Sequence, residues 1–232
     1  MNRDNRDYDL TRMNLKRAKD NLNRDYSASF FRYSFARKFF SIHDNILEIG
    51  CGYNTPLARL IKSHSYQLVN TYTGVDMCPL EELHSNNIFL RGEFNFVERW
   101  KELANIKYET IIRLEVIEHM RVEFGTKLLK ACRELIEPDG IMLFSTPIWN
   151  GKTQSPNHVH EYTIIELEAL VKSVGFKVHE RFGTQINIRT LKQHFDIPKA
   201  MLKYFDNNAL SCIFAPMFPE LSKCVFWTCK PI

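Results

Sequence analysis

Residues 46–56, Ile-Leu-Glu-Ile-Gly-Cys-Gly-Tyr-Asn-Thr-Pro, constrain the fold more than any other stretch of this chain. A short apolar run carries one acid, Glu48, and ends at Gly50-Cys51-Gly52 before Pro56 opens a helix-like segment. A strand that runs into a glycine turn and then a helix is how open α/β sheets bring backbone up to an adenosyl ligand. Gly50 and Gly52 remove side chains at the point of approach and accept positive φ. Glu48, set inside an apolar strand, requires a hydrogen-bond partner once buried. A Gly-x-Gly pair alone is weak, so its meaning depends on the residues that come later in the chain at strand-like intervals.

Beyond Pro56 the chain alternates strand-like and helix-like segments, the pattern of a parallel sheet covered on both faces. An aromatic helix is expected from Ser27 to Phe40, with Phe30, Phe31, Tyr33, Phe35, Phe39 and Phe40, before a first strand at Asn45–Ile49. Thr55 suits the cap and Pro56 the first position of the next helix. Further strands are expected at Thr71–Asp76, Ile88–Arg91, Tyr108–Val116, Ile141–Ser145, Phe176–Arg181 and Val225–Cys229. A helix from about Val122 to Ile136 carries Leu128, Leu129, Cys132 and Leu135 on one face. Pro138-Asp139-Gly140 reads as a turn, and Thr163-x-x-Glu166 as a capping box ahead of Ile164–Ser173, which Gly175 ends. The domain expectation is a leader and aromatic helix over residues 1–44, covering the acceptor side, and a doubly wound α/β domain over 45–232. Residues 186–222 stand out as a less regular insertion rich in Phe, Met and Pro.

Composition narrows the function classes. With 232 residues, 44% of them hydrophobic, the chain can bury a sizeable core as one domain. No apolar run approaches the ~18–20 residues that span a bilayer, and the first residues have no apolar signal-peptide core. Six cysteines without paired spacing point to reduced thiols, and so to a cytoplasmic protein. The net charge is +4, and residues 1–24 hold seven Lys/Arg against four Asp. Such a leader permits phosphate contact but is the ordinary make-up of a solvated terminus, so nucleic-acid binding is permitted without being indicated.

Strand-end residues give the glycine motif its force. Asp76 closes the second strand, 26 positions after Gly50, where an acid can accept both ribose hydroxyls. Gly92-Glu93-Phe94 comes after the third strand, and Leu114-Glu115-Val116-Ile117-Glu118-His119 after the fourth. All fall at the carboxyl ends of expected parallel strands, where open α/β sheets bind ligands. With LEIGCG (47–52), YTGVD (72–76), EVIEHM (115–120), LIEPDGIMLFSTP (135–147) and HVHEYTIIELEALVKSVGF (158–176) in this order, the chain resembles the class I S-adenosylmethionine-dependent methyltransferases, nearest to the ubiquinone-pathway O-methyltransferase-like group. The resemblance implies a seven-stranded Rossmann-like sheet with the last strand antiparallel, and S-adenosylmethionine as cofactor. It places Glu48, Gly50 and Gly52 at the methionine part, Asp76 at the ribose, Met77 and Glu93 at the adenine, and the Leu114 backbone near the sulfonium; Phe94, as an aromatic after the third strand, is suited to the adenine, and Cys51 and Glu115 complete the expected cofactor-binding set. Many relatives carry a third glycine where this chain has Asn54; asparagine tolerates left-handed backbone, so Asn54 is expected to take that turn.

Methyl transfer from a sulfonium needs positioning, and a base only where the acceptor must lose a proton. His119, His158 and His160 are the candidates, because imidazole titrates near neutral pH. The acceptor expected is a small molecule taking the methyl on oxygen or nitrogen, with no metal assigned, no membrane partner, and a homodimer permitted. Tyr26, Phe30, Phe31 and Tyr33 of the aromatic helix, with Phe205, Phe214, Met217 and Phe218 of the insertion, are candidate pocket walls. One alternative rests on a second resemblance: small-RNA 2′-O-methyltransferases hold a metal with a similar Glu-x-x-Glu-His and a later histidine, here Glu115, Glu118, His119 and His158 or His160. Another is a non-catalytic cofactor-binding partner of some other protein. A base amino-methyltransferase is disfavoured, since no Asp/Asn-Pro-Pro-Tyr/Phe comes after the fourth strand, and no Pro-Cys there offers a covalent route to a pyrimidine.

Overall fold

A computed structural model describes residues 24–63, 68–194, 196–205 and 207–232. The basic leader falls outside these residues. Elements run α1 (Arg24–Ala36), β1 (Asn45–Ile49), α2 (Pro56–Ser63), β2 (Thr71–Val75), β3 (Ile88–Arg91), α3 (Phe96–Arg99), β4 (Tyr108–Leu114), α4 (Val122–Leu135), β5 (Ile136–Pro147), α5 (Ile164–Ser173), β6 (Phe176–Ile186), α6 (Ile188–His194), α7 (Lys199–Tyr204), α8 (Asn207–Phe214) and β7 (Ser222–Pro231). The seven strands form one sheet in the order β3-β2-β1-β4-β5-β7-β6. β1 through β5 pair in parallel, whereas β7 runs antiparallel to both β5 and β6. The order reverses at β1, which has β2 on one side and β4 on the other; this is the switch point at which doubly wound sheets open a crevice.

Alternation along the central strands distributes the core over the two faces. Leu47, Ile49 and Ile111 pack with Leu128, Leu129, Leu135, Leu167, Val171 and Trp227 on one side. Ile46, Ile112 and Leu114 pack with Leu57, Ala58, Ile61 and Tyr72 on the other, which α1 covers through Tyr33, Phe35 and Ala36. Each fully buried aliphatic side chain contributes about 1.5–3 kcal/mol, so a strand buried on both faces is held firmly in register. Phe35 reaches Phe182 (4.6 Å between ring centres) and tethers α1 to β6.

The strand expectations hold, with instructive changes in length. β4 stops at Leu114, two residues early, because Glu115 turns into the left-handed region at φ 57°. β5 begins at Ile136 and takes in Pro138-Asp139-Gly140, which forms an irregularity in the β4–β5 pairing instead of a free turn. The insertion is more regular than expected: α6, α7 and α8 with two short 3₁₀ turns build a small satellite core of Ile186, Leu191, Ile197 and Ala215. The Thr163–Glu166 capping box is present in both directions. All six cysteines are buried thiols outside any disulfide. Among the described residues, no helix is long and apolar enough to cross a membrane.

Candidate functional site

The carboxyl ends of β1, β2 and β4 converge on the turn after β1. Gly50 and Gly52 take positive φ (79° and 71°), and the amides of Gly50 and Cys51 both donate to the Val75 carbonyl (2.8 and 3.3 Å). A Cβ on Gly50 would lie 2.5 Å from Val116 Cγ2, whereas one on Gly52 would meet nothing within 4 Å. Gly50 is therefore required by the protein's own packing; Gly52 lines open space. The left-handed non-glycine residue here is Thr55 (φ 42°), and Asn54 does not take that conformation. The expectation for Asn54 is corrected: its carbonyl accepts from Arg59 Nε (2.8 Å), and the turn is completed one residue later. Pro56 opens α2 as expected, but Thr55 does not cap it through its side chain, since its buried hydroxyl has no hydrogen-bond partner.

Asp76 ties the turn to the next strand. Its carboxylate accepts from the Gly52 amide (2.7 Å) on one oxygen and from the Cys78 amide (3.0 Å) on the other. Its carbonyl accepts from Phe94 N (2.8 Å), which fastens the loop after β3. Glu93 sits in the left-handed region (φ 52°) with its side chain exposed, and Met77 beside Asp76 is half-buried. Phe94 is 1% exposed, its ring given to the core and to the Arg99 guanidinium 4.6 Å away. Met77 and Glu93 therefore lie at the rim, while Phe94 supports them from below.

Glu48 lies beneath the turn, 1% exposed. It accepts a hydrogen bond from the buried Tyr72 hydroxyl and one from Tyr33 of α1. Burial pushes its carboxyl up to about 8, with Asp76 adding to the shift and the tyrosine hydrogen bonds opposing it. Near neutral pH the ligand-free site thus holds a largely protonated acid, while Tyr33 and Tyr72 are driven well above their ordinary values by burial and by Glu48. One Glu48 oxygen has no hydrogen-bond partner, and that oxygen suits a cationic amino group of a ligand. A glycine turn, an acid below it and a doubly anchored acid beside it form the donor and acceptor set that an amino acid joined to a ribosyl group requires.

On the β4 side, Glu115 is held by Ser145 (2.7 Å), the Cys224 thiol (2.9 Å) and Arg32 of α1 (4.0 Å). Burial is the strongest single influence and acts to lower Arg32, but the neighbouring charges together, Glu115 first among them, outweigh it and leave the guanidinium above its ordinary value. Cys224 is pushed well above the usual thiol range by burial and by Glu115, so it acts as a donor. Sequence reasoning missed both Arg32 and Cys224: they come from distant ends of the chain, and nothing near either marks the contact.

The 3₁₀ turn Ile117–His119 carries the second set of candidates. The Val159 and His160 amides donate to the Glu118 carbonyl (2.7 and 3.1 Å), which docks the loop before α5 onto this turn. The docking brings His158 to His119, with ring centres 5.2 Å apart. His160 instead packs its ring against Tyr162 (4.4 Å) and is not brought to the pair. Glu118, His119 and His158 form one cluster; Glu115, turned to Arg32, is outside it. The four-residue metal set of the small-RNA enzymes is therefore not assembled. Glu161, also missed in the sequence, holds His158 through Nδ1; its spacing in His158-x-x-Glu161 was the one signal for it. Of the candidate pocket walls, Phe214 and Phe218 join the satellite core, Phe30, Phe205 and Met217 are exposed, and the Tyr26 side chain lies outside the described residues.

Comparison with known proteins agrees with this architecture. A family model described as a methyltransferase domain matches residues 15–181. Ubiquinone biosynthesis O-methyltransferase of Cereibacter sphaeroides (strain ATCC 17029 / ATH 2.4.9) is 26% identical over 163 residues, covering 61% of this chain and 64% of that protein, so the match spans less than two thirds of the relative's length. Among solved structures, a SAM-dependent methyltransferase from Archaeoglobus fulgidus superposes with a TM-score of 0.60 at 17% identity, covering 93% of this chain and 98% of that one. The N-methyltransferase NodS from Bradyrhizobium japonicum WM9, in complex with S-adenosyl-l-homocysteine, gives 0.56 at 13% identity, covering 93% and 90%. At these identities the structural likeness is one of fold.

Proposed function

The chain belongs to the methyltransferase domain family, and from that premise we propose that it moves a methyl group from S-adenosylmethionine to an oxygen of a small-molecule acceptor. The observation that carries the reading is the clasp of Asp76 on the Gly52 amide above buried Glu48. It leaves an anionic edge for ribose hydroxyls beside a turn stripped of side chains, with an acid below for an amino group. When bound, S-adenosylmethionine supplies a methyl already activated on a sulfonium, so the chain's share of the work is placement and proton handling.

Gly50 and Gly52 admit the methionine part, Glu48 receives its amino group, Asp76 takes the ribose, and Met77 and Glu93 flank the adenine. Leu114 and Glu115, where β4 breaks off, lie at the methyl end. His119 and His158 handle the acceptor's proton; each ring is fixed by its Nδ1, His119 on the Asn157 carbonyl (3.1 Å) and His158 on Glu161. Oxygen is favoured over nitrogen by the relatives named as O-methyltransferases. Phe30 and Phe31 of α1, together with Phe205 and Met217 of the insertion, offer apolar surface to an aromatic or prenyl-like acceptor.

Calorimetric titration with S-adenosylmethionine, followed by a labelled-methyl screen over phenols, catechols and amines, tests the reading. Micromolar binding with transfer to a hydroxyl supports it. Absence of binding at millimolar cofactor overturns it, and transfer to amines alone overturns the oxygen assignment.

A further inference from the structure

The cluster under the Ile117–His119 turn is wired unlike an ordinary pair of surface histidines. Both rings spend Nδ1 on an oxygen. The Asn157 carbonyl can only accept, so His119 donates to it from Nδ1, and Nε2 is the nitrogen turned toward Glu118. His158 donates its Nδ1 proton to Glu161, whose same oxygen also accepts from the Gln154 amide (2.7 Å). An oxygen held behind one ring nitrogen is the arrangement that fixes an imidazole as a metal ligand through the other.

The inward side has matching dimensions. His119 Nε2 stands 3.7 Å from Glu118 Oε1, too long for a hydrogen bond. Two ligands each about 2.1 Å from a tetrahedral ion lie roughly 3.4 Å apart. One ligand atom from each of Glu118, His119 and His158 falls within 4.8 Å of the other two. The side chains are withdrawn from solvent: 0% exposed for Glu118, 16% for His119, 4% for His158 and 1% for Glu161. Glu161 also keeps its second oxygen buried with no hydrogen-bond partner. Two buried carboxyl groups facing two imidazoles favour a cation between them, and the nearby Arg113 is turned to the Phe144 ring, 4.5 Å away.

We propose that Glu118, His119 and His158 bind a divalent transition-metal ion, zinc being the best match, with Glu161 as the outer partner that fixes His158. Three protein ligands of this mixed set leave a coordination position open, the pattern of catalytic rather than structural sites. On the methyl-transfer reading above, which this part of the inference rests on, the open position takes the acceptor's hydroxyl oxygen. Oxygen bound to a dication gives up its proton to water near neutral pH, so the two imidazoles would handle the acceptor's proton through the ion they hold instead of taking it up themselves. Their Glu and His donors also suit Mn²⁺ and Co²⁺.

The full chain, dialysed against a chelator and then titrated calorimetrically with Zn²⁺, is expected to bind one equivalent. Co²⁺ loading is expected to give the visible absorption of a low-symmetry, four- or five-coordinate ion. His119→Ala and His158→Ala should each weaken binding at least 100-fold, and Glu161→Gln about 10–100-fold, as outer-sphere partners do. Circular dichroism on each variant reports folding, and Cys132→Ala with Cys224→Ala separates thiol binding from this site. No uptake by the folded wild-type chain, or uptake unchanged in both histidine variants, overturns the proposal. Metal binding is read without cofactor or acceptor, so failure of S-adenosylmethionine to bind would sink the methyl-transfer reading and leave the site standing.

Discussion

Replacing Glu48 by Gln tests the electrostatics of the site through stability alone. Glu48 is buried, its carboxyl is raised to about 8, and its ordinary value is 4.5. The folded chain therefore keeps this proton over a range in which the unfolded chain has lost it. The stability contributed by the protonated acid is full below about pH 4.5 and falls as pH rises through 8. The whole gap corresponds to roughly 5 kcal/mol, and the part traversed between pH 6 and 9 to roughly 2.5 kcal/mol. Gln has the same shape, still accepts from Tyr72 and Tyr33, and does not titrate. In urea unfolding at fixed salt, Glu48→Gln should match wild type within about 1 kcal/mol near pH 5, exceed it progressively as pH rises from 5 to 8, and hold a constant lead above about pH 9. Parallel pH–stability curves for the two proteins would refute the reasoning, because they would mean that Glu48 ionises inside the fold without penalty.

The same acid predicts that S-adenosylmethionine binding at pH 7 releases close to one proton, as its ammonium group pulls Glu48 into the charged form; calorimetry in two buffers of different ionisation enthalpy measures this, and Glu48→Gln should abolish it. Gly50→Ala must push Val116 aside as well as strain the backbone, so it should cost more stability than Gly52→Ala, which carries only the ~1–2 kcal/mol of left-handed strain yet still weakens cofactor binding; thermal melts with and without cofactor separate the two effects. Asp76→Asn should weaken cofactor affinity roughly 10–100-fold, the worth of a charge-assisted hydrogen bond, and also lower the melting temperature, since one of the two backbone amides that Asp76 holds would meet an NH₂ instead of an acceptor. Arg32→Gln leaves Glu115 without its cation and should destabilise the chain by about 2 kcal/mol, less than a wholly buried pair would lose, since Glu115 keeps some exposure to water.

Much of the sheet was legible because its cause is local. A strand such as Asn45–Ile49 or Ile88–Arg91 is written in consecutive apolar residues, and the box at Thr163–Glu166 in two residues three apart. The glycine turn and Asp76 were legible for the same reason: spacing along the chain fixes which strand end each occupies. What resisted was set by contacts between distant segments. Asn54 looked like the left-handed residue by propensity, but the turn's closure at the Gly52 carbonyl moved that conformation to Thr55. Phe94 looked open to a ligand, and its ring was taken by the core. Arg32, Cys224 and Glu115 meet only after α1 folds over the sheet and β7 inserts beside β5. His158 and His160 are equivalent in sequence, and only the docking of their loop on Glu118 separates them.

Thr55, Glu93 and Glu115, the three described non-glycine residues in left-handed backbone, all lie in the segments that come after β1, β3 and β4, on the carboxyl side of the sheet. Each surrenders about 1–2 kcal/mol that glycine or asparagine would recover. A directed-evolution campaign selecting for heat resistance would therefore converge on these positions first. The variants it enriched would be sturdier proteins with slackened rims, and counter-selection on ligand affinity would drive the same positions back. That opposition makes the three residues a ready meter of how much stability this chain forgoes to keep its crevice in shape.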